Sequence, residues 1–391
     1  MIHMNNMQRR IYIIYRFSLL IIVLNSLYVW FLWEKNIFVL LFCTVISLSS
    51  FLICKNIFTL NKSNFLPIVL LIFIQIYVGV GAGLNARIGG FLHIIIITGV
   101  LLLTNKIKVD IFVFFTKYLS KILFISLIGW ILYLFGANLP SYLSEGKYEG
   151  YENYFFFLRP LRSSIIEFPR FSSIFLEPSY LGMMTTFLII SNRFDFRKKS
   201  VIIFLITTIL SFSLAAYIVL FVTYSISLVF DSKNPIRNML LIILFSLSCF
   251  FIILNYASDE SAIVVHVLNR LDFSGDVARN TRYTDGFESL YKIFLNSFDI
   301  YFGIGQNKFS SLTFYGGNAG YKVFIMVYGI IGTILVALMY LSVVLLNHTK
   351  TAWILLLAFA MIFMQASYAL LDFWLVLFFI SIPMLKATKN E

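Results

Sequence analysis

Charged residues are scarce in this chain of 391 residues. Only 12% of the residues are Asp, Glu, Lys or Arg, whereas 60% are hydrophobic and the mean hydropathy is +0.91. A typical soluble domain has about 25% charged residues, because its surface faces water. Apolar runs close to the roughly 20 residues that cross the hydrocarbon of a bilayer recur from Ile11 to Leu385. We therefore expect an all-α, polytopic integral membrane protein.

Cysteine and histidine are also scarce, and neither has the spacing of a metal site. The three cysteines, Cys43, Cys54 and Cys249, lie in or at the end of apolar segments, without the spacing of metal ligands or of paired loop cysteines. The four histidines fall in separate segments, and the H-E-x-x-H spacing of a metalloprotease does not occur. We expect neither a metal site nor a cofactor.

Acidic residues are outnumbered by basic ones, 18 to 30, so the formal net charge is +12. The basic residues are scattered between the apolar runs and do not form the dense basic face that binds nucleic acid. In membrane proteins, short basic connectors mark the cytoplasmic side. We expect no nucleic-acid partner, and the basic residues indicate topology instead.

The apolar runs predict about twelve transmembrane helices. We expect ten of them at 11–32, 36–54, 65–83, 88–104, 111–136, 176–191, 238–255, 319–346, 351–368 and 371–385. The remaining run, 201–230, is long for one crossing and short for two. Basic connectors flank it on both sides, which requires an even number of crossings. We expect two short helices that break near Phe212 and Ser213.

The same topology places both termini in the cytoplasm, together with the other basic connectors. It leaves two polar segments, 137–175 and 256–318, as larger periplasmic loops of one multi-pass domain, 1–391. No internal repeat relates the two halves of the chain, and this weakens a transporter interpretation because many transporters are built from repeats. We expect the functional residues in the two loops.

The first loop carries dense charge next to the membrane boundary. It contains Arg159 and Arg162 and continues into RFSSIFLEPSYLGMM, from Arg170 to Met184. Pro178, directly after Glu177, suits the first turn of a helix, where the helix dipole favours a carboxylate. Glu177 therefore has two interpretations. It caps this helix, or it is a partly desolvated acid beside Arg170 that accepts a proton or orients a substrate hydroxyl.

The second loop predicts two amphipathic helices. The apolar face of the first, suited to lying on the membrane surface, is formed by Ile263, Val264, Val267, Leu268 and Leu271. The apolar face of the second is formed by Phe287, Leu290, Tyr291, Phe294, Leu295 and Phe298. Arg279 and Arg282 precede the second helix, whose unpaired N–H groups and positive dipole end attract anions such as phosphate.

Two glycine-containing turns follow. FGIGQNKF, from Phe302 to Phe309, contains Gly-x-Gly, but the absence of a preceding strand and of a βαβ unit argues against a dinucleotide site. Gly303 and Gly305 instead predict a turn back towards the bilayer. In YGGNAG, from Tyr315 to Gly320, Asn318 either caps the helix that follows or binds a sugar.

The loop arginines form a candidate anion-binding set. A guanidinium group binds phosphate bidentately and stays charged at the membrane interface, which suits a lipid pyrophosphate. The alternative is that these arginines bind lipid headgroups or pair with nearby carboxylates in a solvated, weak network. For any single arginine, binding to lipid headgroups or pairing with a carboxylate is the favoured interpretation. For the whole set on one side of the membrane, substrate binding is favoured. The set consists of Arg159, Arg162, Arg170, Arg279 and Arg282.

The order of these features resembles the bacterial O-antigen polymerases of the Wzy type, within the wider O-antigen polymerase and ligase superfamily. The resemblance covers most of the chain in topology. Its sharper elements are RFSSIFLEPSYLG at 170–182, SFSLAAY at 211–217 and RYTDGFESLYKIFLNSFDIYFGIGQNKF at 282–309. It implies a metal-independent glycosyltransferase of the bacterial inner membrane. Such an enzyme moves a growing glycan from undecaprenyl pyrophosphate onto a sugar hydroxyl of another lipid-linked repeat unit, at the periplasmic face.

The resemblance also implies roles for individual residues. Arg170 and Arg282 match the family's arginines, which would neutralise the departing pyrophosphate, and Arg279 would assist them. Glu177, in the family's Glu-Pro element, is the candidate for accepting the proton of the attacking hydroxyl. Ligases of the superfamily often have a histidine before the asparagine in the turn matching YGGNAG, and here Gly317 precedes Asn318. A polymerase is therefore preferred over a ligase.

Two other classes of protein fit parts of the pattern. A flippase or similar transporter for lipid-linked oligosaccharides also needs cationic sites, but it should have ionisable residues along a central cavity, and most of the predicted crossings lack them. A structural scaffold in polysaccharide export explains the helices but not the arginine-rich loops. Membrane lipid and the undecaprenyl-pyrophosphate-linked oligosaccharide are the expected partners, and the resemblance leaves room for a chain-length regulator protein.

Overall fold

The computed structural model describes residues 5–33, 35–60, 62–80, 82–145, 148–154, 156–160, 169–230, 234–256, 285–312, 320–347, 349–365 and 374–385. Within these residues the chain is mostly helical. The first amphipathic helix predicted in the second loop, at 263–271, lies outside the described residues.

The helices follow the predicted apolar runs. In chain order they are α1 Asn6–Ser26, α2 Asn36–Ile53, α3 Lys62–Val80, α4 Leu84–Leu102, α5 Asn105–Leu134, α6 Pro178–Ser191, α7 Lys199–Leu210, α8 Leu214–Phe230, α9 Pro235–Tyr256, α10 Asp285–Leu295, α11 Asp299–Phe302, α12 Gln306–Ser310, α13 Gly320–Asn347, α14 Lys350–Gln365 and α15 Trp374–Ser381. Short 3-10 helices lie at Trp30–Leu32, Lys55–Ile57 and Ile382–Leu385.

The boundaries of two helices differ clearly from the prediction. α1 ends at Ser26 and not near residue 32, because the chain turns at Tyr28, whose φ is +53°. α5 begins at Asn105 and not near residue 111, so two lysines of the predicted connector lie in its first turns. One of them, Lys108, is buried and donates a hydrogen bond to the carbonyl oxygen of Leu101 at 2.9 Å, which ties the start of α5 to the end of α4.

The predicted break in the apolar run 201–230 is confirmed. α7 ends at Leu210 and α8 begins at Leu214, with Phe212 at a φ of +44° between them. At a rise of 1.5 Å per residue, the 12 residues of α7 extend only about 18 Å. α7 alone is therefore shorter than the roughly 30 Å of a hydrocarbon core.

A small β-sheet corrects the all-α expectation. Three antiparallel strands, β1 Ser141–Leu143, β2 Tyr151–Tyr154 and β3 Phe157–Pro160, form a sheet in the order β1-β2-β3. They lie in the segment 137–175, which was expected to be a loop. The strands are only three or four residues long, so the alternation of side chains along each is too brief to distinguish from a loop by periodicity.

Two of the described helices are long and apolar enough to cross a membrane. They are α5, with 30 residues, and α13, with 28 residues, which extend about 45 and 42 Å. Other described helices are apolar but shorter. Length and composition alone are weak evidence, because a core helix of a soluble protein passes the same test.

The distribution of side chains on α2 is the reverse of that on a helix in water. Its buried side chains are small or polar: Cys43, Thr44, Ser47 and Ser50. Its exposed side chains are large and apolar: Ile37, Phe38, Leu41, Phe42, Val45, Leu48, Phe51 and Leu52. Water disfavours a contiguous apolar surface of this kind, whereas lipid tails are as apolar as the side chains themselves. The pattern of α2 favours a lipid environment.

The chain divides into two compact units, and the boundary falls between Phe115 and Thr116 within α5. The first unit contains residues 1–115 and 280–391. In it α1 packs on α2, α2 on α4, and α3 on α4 and α13. The hydroxyl of Tyr77 on α3 lies within hydrogen-bond distance of two carbonyl oxygens, 2.8 Å from that of Phe302 and 2.9 Å from that of Tyr328. This contact fixes the FGIG turn against α13.

The FGIG turn fits into a break in α13. The backbone of α13 is non-helical at Gly329, whose φ is +66°, and this frees carbonyl groups of the preceding turn. Two of these accept hydrogen bonds from the turn: Met326 from the amide of Ile304 at 2.8 Å, and Val327 from the amide of Gly305 at 3.0 Å. Gly303 and Gly305 have φ of +80° and +79°, so the predicted glycine turn is confirmed.

The second unit, residues 116–279, contains the rest of α5, the sheet and α6 to α9. α6 packs against α7 and α8. The hydroxyl groups of Thr185 on α6 and Thr208 on α7 lie 2.6 Å apart, and both residues are fully buried. This unit holds the described residues of the first predicted loop.

Candidate functional site

Arg170 lies against the end of α7. Its Nε donates a hydrogen bond to the carbonyl oxygen of Ser211 at 2.9 Å, and the amide of the next residue, Phe171, donates to the carbonyl oxygen of Leu210 at 3.0 Å. The carbonyl end of a helix carries a partial negative charge, which favours a cation. The contact with Ser211 uses one of the five N–H donors of the guanidinium group.

The segment after Arg170 is held by strand β3. The amide of Leu158 donates to the carbonyl oxygen of Ser173 at 2.9 Å, and the hydroxyl of Ser172 donates to the carbonyl oxygen of Leu158 at 2.8 Å. The apolar side chains of this segment, Phe171, Ile174 and Phe175, are fully buried. The backbone between Arg170 and Glu177 is therefore fixed by packing on one side and by the sheet on the other.

Glu177 occupies the N-cap position of α6, but its side chain does not cap the helix. Its backbone is extended, at φ −133° and ψ 148°, and Pro178 occupies the first helical position. No cap hydrogen bond from its side chain is present among the described residues, and its carboxylate accepts a hydrogen bond from the Ser179 hydroxyl at 2.9 Å. Glu177 thus occupies the predicted capping position, but its side chain does not form the capping hydrogen bond. Glu177 is exposed, so the expectation of a partly desolvated acid is wrong.

The charge of Glu177 affects the pKa of a tyrosine on strand β2. Burial, and then the negative charge of Glu177, raise the pKa of Tyr151 above its ordinary value. Tyr151 thus stays a neutral hydroxyl near the carboxylate. The start of α6 therefore combines an exposed carboxylate with the hydroxyl group of Ser179, and Tyr151 is close enough to be affected by its charge.

Two of the sequence segments that carry the family resemblance meet in the second unit. They are 170–182 and 211–217. Besides the contacts of Arg170, a Cβ atom on Gly182 would lie 2.8 Å from the Cβ of Ala216 and 3.0 Å from the Cβ of Ser213. Only a glycine allows so close an approach of α6 to this turn.

Arg159 lies on the sheet and not at the turn of Arg170. In the register of β2 and β3 it is directly opposite Glu152, and its guanidinium carbon lies 5.1 Å from the ring centre of Tyr133 on α5. Tyr154, two residues from Glu152 on β2, has its pKa raised to about 12 by burial first, and then by the hydrogen bond and charge of Glu152. Arg159, Glu152, Tyr154 and Tyr133 form a second polar group, which shares no residue with the group at the start of α6.

Four of the predicted site residues, Arg162, Arg279, Arg282 and Asn318, lie outside the described residues. The structure thus brings Arg170 and Glu177 to the ends of neighbouring helices. Arg159 lies elsewhere, on the sheet, and a substrate role for Arg162, Arg279 and Arg282 stays a prediction. Within the described part of the chain, no three His, Cys, Asp or Glu side chains are grouped so that they could hold a metal ion.

An ion pair that the sequence did not reveal ties α10 to α13 in the first unit. Lys322 Nζ lies 2.5 Å from Glu288 Oε1, and the exposed fractions of the two side chains are 12% and 26%. The ammonium group also lies 5.1 Å from the ring centre of Tyr291, whose neighbours Phe287 and Phe294 are buried with it. The predicted apolar face of α10 is confirmed for Phe287, Tyr291 and Phe294, whereas Leu295 is exposed and Phe298 is exposed and lies beyond the end of the helix. The two charges are 34 residues apart in sequence, so no local spacing indicates the pair.

Comparisons with known proteins found no match among protein-family models, curated proteins or solved structures.

Proposed function

We propose that this protein is a polysaccharide polymerase, which transfers a glycan from undecaprenyl pyrophosphate onto a lipid-linked repeat unit at the periplasmic face of the bacterial inner membrane. The observation that carries the proposal is the arrangement at the start of α6. Arg170 is anchored to the end of α7, and Glu177 is at the first turn of α6. Both residues belong to the segment 170–182 of the resemblance, and the carbonyl group that anchors Arg170 belongs to the segment 211–217.

A membrane location is supported by the polarity of α2 and by the length of α5 and α13. We propose about twelve transmembrane helices with both termini in the cytoplasm. In this topology the end of α7 and the start of α6 are on the periplasmic side, because the basic connector between α6 and α7 is cytoplasmic. The segments 137–175 and 256–318 are then both periplasmic.

The proposed reaction needs a base and a cationic group. A hydroxyl of the acceptor sugar loses its proton to the Glu177 carboxylate and attacks the anomeric carbon of the donor glycan. The bond between that carbon and the pyrophosphate oxygen breaks, and undecaprenyl pyrophosphate leaves with the bonding electron pair. Arg170 and Arg282 stabilise the negative charge that develops on the leaving group. No metal ion is required for this step.

Two related functions remain as alternatives. A ligase of the same superfamily would use the same chemistry with a different acceptor, and Gly317 before Asn318 argues against it. A flippase would move the lipid-linked oligosaccharide without breaking a bond. Arg170 and Glu177 place one positive and one negative charge at a single end of α6 and α7. This favours an enzyme, because the translocation pathway of a flippase should have ionisable residues along its whole length.

Glycan profiles of the host separate these functions. After deletion of the gene, a polymerase predicts loss of the long ladder with survival of a single-repeat product. A ligase predicts long polymer on its lipid carrier, and a flippase predicts repeat units retained on the cytoplasmic side. An unchanged ladder after deletion would refute all three.

Site variants test the assignment of residues. Arg170→Gln or Arg282→Gln should lower the polymerisation rate by about 10²- to 10³-fold, the range for removing one preorganised donor to a developing anion. Glu177→Gln removes the proposed base and should also remove the ladder. Arg237→Gln, at the cytoplasmic start of α9, is the matched control and should leave the ladder unchanged. Normal ladders in both Arg170→Gln and Glu177→Gln, at normal protein levels, would refute the assignment.

A further inference from the structure

One face of the small sheet combines aromatic rings with one basic and one acidic side chain. In the antiparallel register, Glu152 is opposite Arg159 and Tyr154 is opposite Phe157. Residues directly opposite each other in such a pair point to the same side, as do residues two apart on one strand. These four side chains, together with Tyr133 of α5, form what we call the sheet face.

The rings of the sheet face form a continuous layer. Tyr154 and Phe157 are stacked, with ring centres 5.3 Å apart and an angle of 14° between the planes. Tyr133 contacts both, at 5.1 Å from Tyr154 and 5.6 Å from Phe157. Phe157 is buried, whereas Tyr133 and Tyr154 are half-buried and reach the surface.

Arg159 lies beside this aromatic layer, and one of its hydrogen-bond donors has no acceptor among the described residues. Its guanidinium group stacks over Tyr133. Its Nε is buried and has no hydrogen-bond partner among the described residues. A buried donor without an acceptor is unfavourable, and native structures rarely contain one unless water or a ligand supplies the acceptor. Among the residues that the structure describes, the sheet face therefore supplies no hydrogen-bond acceptor for Arg159 Nε.

We propose that the sheet face binds a neutral sugar ring of the lipid-linked glycan. This inference rests on the proposed function and names the site that holds the glycan, separate from the site that holds the pyrophosphate. It assigns Arg159 to the sugar.

The chemistry of the sheet face fits a sugar better than a phosphate. A guanidinium group only donates hydrogen bonds and a carboxylate only accepts them, so Arg159 and Glu152 together match neighbouring hydroxyl groups, which do both. The apolar C–H face of a sugar ring packs on the exposed part of the aromatic layer. A phosphate group would instead bring its negative charge close to the carboxylate of Glu152, and like charges repel.

A binding measurement tests the inference directly. The probe is the free repeat-unit oligosaccharide, released by mild acid from the lipid-linked precursor of the host. It is titrated into the full-length protein in lipid nanodiscs and followed by saturation-transfer NMR. We expect Arg159→Gln, Glu152→Gln and Tyr154→Leu each to lower the affinity about tenfold, the effect of one hydrogen bond to a charged group or one stacked ring.

The matched control is Tyr142→Leu. Tyr142 lies on β1 opposite Asn153, so it belongs to the other side of the sheet, and it is 61% exposed. This variant should bind the oligosaccharide like the wild-type protein. Glu152→Gln preserves the size of the side chain and guards against effects of misfolding, which the elution profile of each variant reports.

The outcomes separate this inference from the proposed function. Loss of the ladder on gene deletion, with weaker binding in the sheet-face variants alone, supports both. Loss of the ladder with wild-type affinity in these variants, or with no binding by the wild-type protein, overturns the inference and leaves the polymerase intact. Displacement of the oligosaccharide by inorganic pyrophosphate also overturns it, since the face would then be an anion site. An intact ladder on deletion refutes the polymerase itself.

Discussion

The substitution Gly182→Ala tests the contact between α6 and the turn after α7. The added methyl group would lie 2.8 Å from the Cβ of Ala216, 2.8 Å from the Oγ of Ser211 and 3.0 Å from the Cβ of Ser213. Two of these atoms are Cβ atoms fixed to the backbone, so they cannot rotate away. Either α6 or the turn must move, and the carbonyl group that holds Arg170 belongs to Ser211.

The expected loss of stability follows from two opposing effects. Alanine is favoured over glycine in a helix interior by roughly 1 kcal/mol. Overpacking a filled site costs about 1–3 kcal/mol, and the three close atoms place this site at the upper end. We expect the free energy of unfolding to fall by about 2 kcal/mol.

Thermal unfolding of the purified protein in detergent measures this effect, and the glycan ladder of the complemented host measures its consequence. Gly89→Ala on α4 is the matched control, because a Cβ there would meet no atom within 4 Å. The control should unfold at the same or a higher temperature. If Gly182→Ala unfolds at or above the temperature of the wild-type protein, the close approach of α6 to the turn is not real.

Two further substitutions test the first unit. Gly303→Ala should reduce the yield of folded protein severely, because its Cβ would overlap the carbonyl group of Val327 and its φ is +80°; a normal yield and unfolding temperature would show that the FGIG turn does not fit into α13. Glu288→Lys should lower the free energy of unfolding by about 2 kcal/mol, since Lys322 would face a like charge in a largely buried place. The double variant with Lys322→Glu should recover part of this loss, and additive losses would contradict the ion pair.

The helices could be predicted because their cause is local. Long apolar runs and the spacing of basic connectors indicated α2, α4 and the pair α7 and α8, including the break at Phe212. The apolar face of α10 follows from a 3.6-residue repeat that any amphipathic helix shows. For these elements the information lies within one segment of the chain.

The contacts of the site could not be predicted because their cause is not local. Arg170 binds a carbonyl group 41 residues later in the chain. Arg159 belongs to the sheet, whose strands are too short for their alternation to be recognised. Sequence reasoning therefore grouped all loop arginines as one candidate set, whereas the structure assigns Arg159 and Arg170 to different surroundings.

The charges of Arg170 and Glu177 lie at the ends of two different helices. Arg170 lies at the carbonyl end of α7, which carries a partial negative charge, and Glu177 lies at the amino end of α6, which carries a partial positive charge. Each helix end thus favours the charge it holds. In the proposed reaction the Glu177 carboxylate takes up a proton and Arg170 binds the departing anion, and a tight ion pair between the two side chains would weaken both functions.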